Sequence, residues 1–517
     1  MRDRIRVQKR SDSLGNPENR SCKQFIIPEK NMKIQSEYLL LIATGLLACP
    51  NRVEAQVKTD APNLVFIMAD QWRGQAIGYL GVEPVQTPNL DKLAAEGIHF
   101  TDAISSYPVS SPARGMLMTG RYPIGSKVTG NCNSDNTPYH VELPASARCW
   151  SDVLKDQGYE LGYIGKWHLD APYQPYIETN NNKGKIAWNE WCPKERRHGF
   201  SHWIAYGTYD YHLKPMYWNT DAGREEFYFV DQWGPEYEAD RAIDYIANQD
   251  NKLRDGDKPF ALVVSMNPPH TGYNLVPDKY KEVYRNVDVE SLCHSPIIAP
   301  KGTEYGDFYR KSVLDYYACM TGVDDQVGRI IRALKERGLF DNTIVVFTSD
   351  HGDSMGMHDH IGKNIYYEEA MRVPMILTWP EKIAPRRDST LMIGFADLYP
   401  SLLSLMGFKE EIPAEVETFD LSASILSPDK AREVIQPYYQ VSSENLTTGY
   451  RGFRTKKYTF AVHATNGRTD EWILFDREQD PFQLNNIAPD QPELINQFSS
   501  QLKDWLKKTN DPFINCL

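Results

Sequence analysis

The sequence predicts an α/β fold: a large mixed, mostly parallel sheet sandwiched by helices, followed by a smaller C-terminal antiparallel sheet plus helix. Three observations lead there. Between residues 62 and 407, short continuous apolar runs recur, as in strands buried on both faces. Helix-like segments separate them, the pattern of parallel crossover connections. Beyond residue 407 the pattern changes to shorter strand-like segments joined by turns.

The elements follow in chain order. Leu64 to Met68 is the first apolar run and leads to Asp70. Residues 88–97 read as a helix stopped by Gly97. Glu160 to Gly165 reads as a strand with Lys166 just past its end, and Phe260 to Met266 runs into Asn267-Pro268-Pro269-His270. Residues 315–337 read as a long amphipathic helix ended by Gly338. Thr343 to Phe347 runs into Ser349-Asp350-His351. Ligands of such sheets bind just beyond the carboxyl ends of the strands, where Asp70, Lys166, His270 and Asp350 all stand. Residues 433–441, 450–463 and 471–475 read as strands of the second sheet, and Pro492 to Lys508 as its helix. Residues 171–200 form a long polar loop.

Composition bounds the function. The chain has 517 residues, 41% hydrophobic and 24% charged, which excludes wholesale disorder, a collagen and a coiled coil. Fifty-seven basic against 69 acidic side chains give a net charge of −12, so no nucleic-acid partner is expected. One local basic pocket is still enough for an anionic substrate. The expected organisation is a leader over 1–55, a catalytic α/β domain over 56–407 and a C-terminal α+β subdomain over 408–517. The leader carries a net charge of +4. Met32-Lys33, the apolar run Tyr38 to Ala48 and Val53-Glu54-Ala55 before Gln56 read as a secretory signal over 32–55. That run is too short to span a bilayer, so no membrane span is expected. Leu46-Leu47-Ala48-Cys49 resembles a lipoprotein cleavage box, which leaves a lipid anchor on Cys49 as the alternative. Either way the protein is expected to be exported, to the periplasm or the cell surface. None of the eight cysteines forms a Cys-x-x-Cys pair, which argues against a zinc ribbon or a thioredoxin-like site. An exported chain admits one or two disulfides, whose pairing the spacing does not fix.

The most informative stretch is Ser110-Ser111-Pro112-Ala113-Arg114-Gly115-Met116-Leu117-Met118-Thr119-Gly120. Pro112 suits a first helical turn. Backbone N–H groups and the helix dipole then favour an anion near Ser110, and Arg114 lies one turn on. This stretch resembles the signature of the type I sulfatases of the alkaline phosphatase superfamily: Cys or Ser, then x-Pro-x-Arg, then x-x-Leu-x-Thr-Gly. The resemblance extends over roughly residues 60–485 in the family's order. It takes in Asp70, the signature, Gly165-Lys166-Trp167-His168, Asn267-Pro268-Pro269-His270, Asp350-His351-Gly352-Asp353 and Gly362-Lys363.

The resemblance implies a sulfuric ester hydrolase in which Ser110 is oxidised to formylglycine (3-oxoalanine). The hydrated aldehyde would attack sulfur with one oxygen and release sulfate through the other. A Ser-type site implies an anaerobic radical-type maturating enzyme acting before export. By the same resemblance Lys166 and Lys363 hold the sulfate oxygens and Arg114 holds the formylglycine hydroxyl. His270, with Lys363, protonates the leaving oxygen, and His168 is the general base. Asp70, Gln71, Asp350 and His351, with position 110, hold the metal: Ca2+ in first place, with Mn2+ or Zn2+ as alternatives because His351 supplies nitrogen. The family more often has Asp-Asp and Asp-Asn where this chain has Asp70-Gln71 and Asp350-His351. The same pairs occur in phosphonate monoester hydrolases and phosphodiesterases, the alternative activity. Those relatives lack the Lys-x-His of residues 166–168, which favours the sulfatase. A glycan-binding protein built on a lapsed enzyme is disfavoured, because no chemical position is missing apart from the Gln71 variation.

Aromatic residues cluster mid-chain at Trp188, Trp191, Trp203, Tyr206, Tyr209, Tyr211, Tyr217, Trp218 and Trp233. Such faces stack on sugars or pack cores. The expected substrate is a sulfated carbohydrate: a glycosaminoglycan, a mucin-type chain or a dietary glycan. His358-Asp359-His360 is a further candidate for the pocket lining, or else a loop turn.

Overall fold

The computed structural model describes residues 61–517 apart from position 431. The expected leader and secretory signal and the Cys49 box lie outside the described residues. Ten strands form the large sheet: β1 (Asn63–Ala69), β2 (Ile98–Ile104), β3 (Glu160–Lys166), β4 (His202–Tyr206), β5 (Met216–Asn219), β6 (Tyr228–Phe229), β7 (Phe260–Met266), β8 (Thr343–Ser349), β9 (Met375–Thr378) and β10 (Arg386–Gly394). Their spatial order is β10-β2-β9-β8-β1-β7-β3-β4-β5-β6. The central ladder β8-β1-β7-β3-β4 is parallel throughout. Antiparallel pairs enter at β9 and at the β5–β6 edge, which makes the sheet mixed.

β1 shows why the apolar runs are continuous. Val65, Ile67 and Ala69 enter the core on one face, and Leu64, Phe66 and Met68 enter the core on the other. With both faces covered, alternation disappears. Each of the larger of these side chains, Ala69 aside, contributes about 1.5–3 kcal/mol on burial.

Helices cover the faces. The helix Glu304–Glu336 begins well before the expected residue 315. Thr303 caps it, its Oγ1 accepting from the Gly306 N–H at 3.1 Å. The strands β2 and β10 were not expected, because His99, Thr101 and Asp102 in β2 and Arg386 to Asp388 in β10 break the apolar pattern, and β9 was not expected because it is only four residues long.

The second sheet is antiparallel, ordered β11 (Gln436–Val441), β12 (Gly449–Arg454), β13 (Tyr458–Thr465), β14 (Arg468–Asp476). The expected single strand 450–463 is two strands. The chain reverses at Thr455, whose Oγ1 accepts from the N–H groups of Lys457 and Tyr458 at 3.2 and 2.8 Å. The helix Pro492–Lys508 lays Phe498, Leu502 and Leu506 against Phe453, Phe460, Val462 and Leu474. Arg454 of β12 ties this sheet to the large one, donating to Glu368 at 2.7 and 2.9 Å and to Asp102 of β2 at 2.8 Å. Cys132, Cys149, Cys192, Cys293, Cys319 and Cys516 are all free thiols. Among the described residues no helix is long and apolar enough to cross a membrane.

Candidate active site

Register builds the site. β8, β1, β7 and β3 are neighbours, with Ala69 opposite Ser349 and Met266, and Gly165 opposite Ser265. The residues following these strands therefore emerge side by side: Asp350-His351, Asp70-Gln71, Asn267 to His270, and Lys166 to His168. The helix Ser110–Thr119 points its N-terminus at the same place. Ser110 is buried, with Oγ 3.0 Å from His351 Nε2 and 3.4 Å from Asp70 Oδ1.

Arg114 holds the two carboxylates together. Its Nη2 donates to Asp70 Oδ2 and its Nε to Asp350 Oδ2, both at 3.0 Å, while Nη1 donates to the Lys166 carbonyl and Ser265 Oγ, both at 2.8 Å. Four of its five N–H donors thus go to the carboxylate pair, the β3 carbonyl and Ser265. Lys166 Nζ lies 2.7 Å from Asp70 Oδ2 and donates to Asn267 Oδ1 at 3.0 Å. Lys363 Nζ donates to Gln71 Oε1 and stands 2.9 Å from His270 Nε2. Gln71 is in the left-handed region at φ 68°, and its Nε2 donates to Asp353 Oδ2 at 2.7 Å and Tyr273 Oη at 3.3 Å. Its amide oxygen is thereby turned toward Lys363. Backbone held in such a region by surrounding contacts is a frequent property of functional sites.

The electrostatics separate the roles. Burial alone would raise the Asp70 carboxyl, but Lys166, helped by His270, His351 and Arg114, holds it well below the usual carboxylate range. Burial and the facing Asp70 push the Asp350 carboxyl up. Burial, with Lys166 and Arg114, keeps His168 neutral, and neither of its ring nitrogens has a hydrogen-bond partner among the described residues. Burial, Lys363 and Lys166 press His270 down to about 4. Its Nδ1 lies 3.0 Å from Asp210 Oδ1. Burial lowers Lys363 as well.

Asp70, Asp350 and His351 offer ligand atoms that all lie within 4.8 Å of one another, and all three are fully buried. Two buried carboxylates facing each other favour a cation between them. Their oxygens, with an imidazole nitrogen, fit a divalent ion.

The residues read from the sequence as catalytic or metal-holding meet here: Asp70, Gln71, Ser110, Arg114, Lys166, His168, His270, Asp350, His351 and Lys363. His358 and His360 make contacts within their own loop. His358 stacks on Tyr367 at 3.7 Å, and His360 Nε2 faces the Lys363 carbonyl at 2.8 Å, so both shape the loop carrying Lys363. Sequence reasoning missed Asp210, Asn267 and Asp353 as supports. Asp210 lies four residues beyond the end of β4, a strand the sequence pattern did not reveal, so the strand-end rule could not reach it. Of the mid-chain aromatics, Trp203, Tyr206, Tyr209, Tyr217, Trp218 and Trp233 are core residues.

Comparison with known proteins decides the family. The family profile described as Sulfatase matches residues 62–408. The chain belongs to the sulfatase family. A second profile, N-sulphoglucosamine sulphohydrolase, C-terminal, matches residues 356–511 of the sulfatase. An endo-4-O-sulfatase of Bacteroides thetaiotaomicron is 35% identical over 92% of this chain and 97% of its own length. An ulvan-active sulfatase of Formosa agariphila is 35% identical over 95% of this chain and 91% of its own. A crystal structure from Bacteroides fragilis, named for the sulfatases, superposes with a TM-score of 0.86 at 67% identity, covering 89% of this chain and 99% of its own. A phosphonate monoester hydrolase of Agrobacterium radiobacter shares the fold alone, at a TM-score of 0.63 and 22% identity.

Proposed function

We propose that this sulfatase hydrolyses sulfate monoesters of a sulfated carbohydrate, using formylglycine at position 110 and a divalent cation held by Asp70, Gln71, Asp350 and His351. The observation that carries this reading is the convergence of Ser110, two carboxylates and two lysines at one buried point. Formylglycine, when present, supplies a hydrated aldehyde that attacks sulfur and can later discharge sulfate. The cation, when bound, supplies charge that favours an anionic ester and an ionised nucleophile; Ca2+ fits the oxygen-rich donors best, with Mn2+ or Zn2+ as alternatives.

The chain's own groups do the rest. Lys166 and Lys363 present ammonium groups where sulfate oxygens would lie, complementing charge that grows as the ester bond breaks. His168 is neutral and free at both ring nitrogens, ready to accept a proton from position 110. His270 directs Nδ1 at Asp210 and Nε2 at Lys363, so the proton for the leaving oxygen is carried on Lys363 Nζ and shared with His270 Nε2.

The carbohydrate class is supported by relatives. The endo-4-O-sulfatase and an N-acetylglucosamine-6-O-sulfatase, both of B. thetaiotaomicron, bear glycan-type names. A B. thetaiotaomicron structure 34% identical, with a TM-score of 0.79, is described in connection with the metabolism of multiple glycosaminoglycans. Export to the periplasm or cell surface, and maturation by an anaerobic radical-type enzyme, complete the proposal. The test is inorganic sulfate release from sulfated glycans by protein matured with such an enzyme, beside phosphate diester and phosphonate ester hydrolysis. Sulfate release lost in Ser110→Ala supports the reading; faster phosphoryl than sulfuryl hydrolysis contradicts it.

A further inference from the structure

The chain has eleven tryptophans. Ten of them pack within or against the apolar clusters: Trp72, Trp191, Trp218 and Trp233 on one face of the large sheet, Trp150, Trp167, Trp203 and Trp379 on the other, and Trp472 and Trp505 around the second sheet. Trp188 belongs to none of them. Its one aromatic neighbour among the described residues is the imidazole of His168, with ring centroids 6.4 Å apart. The indole is part-buried, and its side chain makes no hydrogen bond among the described residues.

The backbone that carries it is nevertheless fixed. Asn182 Oδ1 accepts from the N–H groups of Trp188 and Asn189 at 2.8 Å each, and Asn182 Nδ2 donates to the carbonyls of Ile177 and Asn189 at 2.9 Å each. Ala187 exchanges hydrogen bonds with Ser134, its N–H donating to Ser134 Oγ and its carbonyl accepting from Ser134 N–H, both at 2.9 Å. That links it to the segment whose Asn131 Oδ1 accepts from the Ser111 N–H at 3.2 Å. The loop therefore fixes the backbone of Trp188 and presents its aromatic face beside the candidate base His168, while using that face for no core contact among the described residues. An ordered, part-exposed indole at a polar site is well suited to a ligand with one apolar face and a polar rim. A pyranose ring is such a ligand: its axial C–H groups present an apolar face while its hydroxyls point outward.

The geometry points to Trp188 as the platform on which the sugar ring bearing the sulfate stacks, and so as a specificity-determining residue for sulfated pyranosides over other sulfate esters. This rests on the sulfatase reading and deepens it. The test separates binding from turnover. Protein carrying unoxidised Ser110 is titrated calorimetrically, in calcium-containing buffer, with a panel of hexosamine and galactose mono- and disaccharides sulfated at O2, O3, O4 or O6. Wild type binds at least one member. Trp188→Ala weakens that binding about tenfold or more, and Trp188→Phe, which keeps an aromatic face, stays within about threefold. In matured protein the same variants raise KM for that sugar in the same order, with kcat within about threefold.

Unchanged affinity in Trp188→Ala, equal losses in the alanine and phenylalanine variants, or no sugar bound by wild type would each overturn the platform. Sulfate release by matured wild type from the same sugars decides the underlying reading separately. Release with Trp188→Ala indistinguishable from wild type rejects the platform alone. Release from 4-nitrocatechol sulfate but from no sugar rejects the carbohydrate class and the platform together.

Discussion

Asp210→Asn is the substitution that most sharply tests how the leaving oxygen is protonated. Asp210 Oδ1 lies 3.0 Å from His270 Nδ1 and accepts from Asn267 Nδ2 at 3.1 Å. Its Oδ2 accepts from Asn181 Nδ2 at 3.1 Å. Burial opposes ionisation, but His270 and Lys166 hold the carboxyl far below its usual range, so it is charged at every working pH. An amide has one acceptor oxygen for these three donors, so its NH2 must face another N–H. The imidazole then loses its orientation and the negative charge that favours its protonated form. A partner of this kind is worth about 10- to 100-fold in kcat, or about 1.4–2.7 kcal/mol. The assay is a series of sulfate esters with leaving groups from nitrophenols to sugar hydroxyls. Because Asp210 bears on the leaving oxygen through His270 and Lys363, the loss should be larger for the poor leaving groups than for nitrophenyl sulfate. Equal losses across the series, in a variant that melts like wild type, would refute the assignment.

Three further outcomes are expected. Burial and the facing Asp70 push the Asp350 carboxyl up, so in the folded, metal-free protein it keeps its proton at pH values where the unfolded chain has lost it. Its contribution to stability is therefore lost as pH rises above the usual carboxylate range, and cation binding must release the proton. Calorimetric Ca2+ affinity should fall as pH falls, and pH-independent affinity would contradict this. Gly165→Ala places a Cβ 2.1 Å from the Ser265 carbonyl oxygen at φ +103°, displacing Lys166. It should cost about 2 kcal/mol or more in denaturant unfolding and abolish sulfate release. Arg451 Nε and Asp511 Oδ2 pair at 2.6 Å, both fully buried, where the chain after the last long helix meets β12. Arg451→Met should cost about 3–5 kcal/mol by stranding the carboxylate, and adding Asp511→Leu should recover most of that loss.

The central ladder was legible because its strands are covered on both faces: continuous runs such as Leu64 to Met68 admit few other readings. The polar residues following those runs were legible for the same reason, since nothing else explains Asp70, Lys166 and Asp350 at three strand ends. The rim of the fold was not. β2 carries His99, Thr101 and Asp102 because its far neighbour is the edge strand β10. β12 and β13 merged into one reading because Thr455-Lys456-Lys457 has no Gly, Pro or Asn to mark the reversal. The supports Asp210 and Asp353 were hidden for a different reason: each acts on a side chain distant in sequence, His270 or Gln71, and spacing carries no trace of that.

The central claim concerns the chemical state of one side chain. Protein made with an anaerobic radical-type maturating enzyme yields, on tryptic digestion, the peptide spanning residues 93–114. Its mass should be two units below that calculated for Ser110, and sulfate turnover should scale with the fraction so altered. An unaltered serine peptide from preparations that release sulfate at full rate would contradict the account.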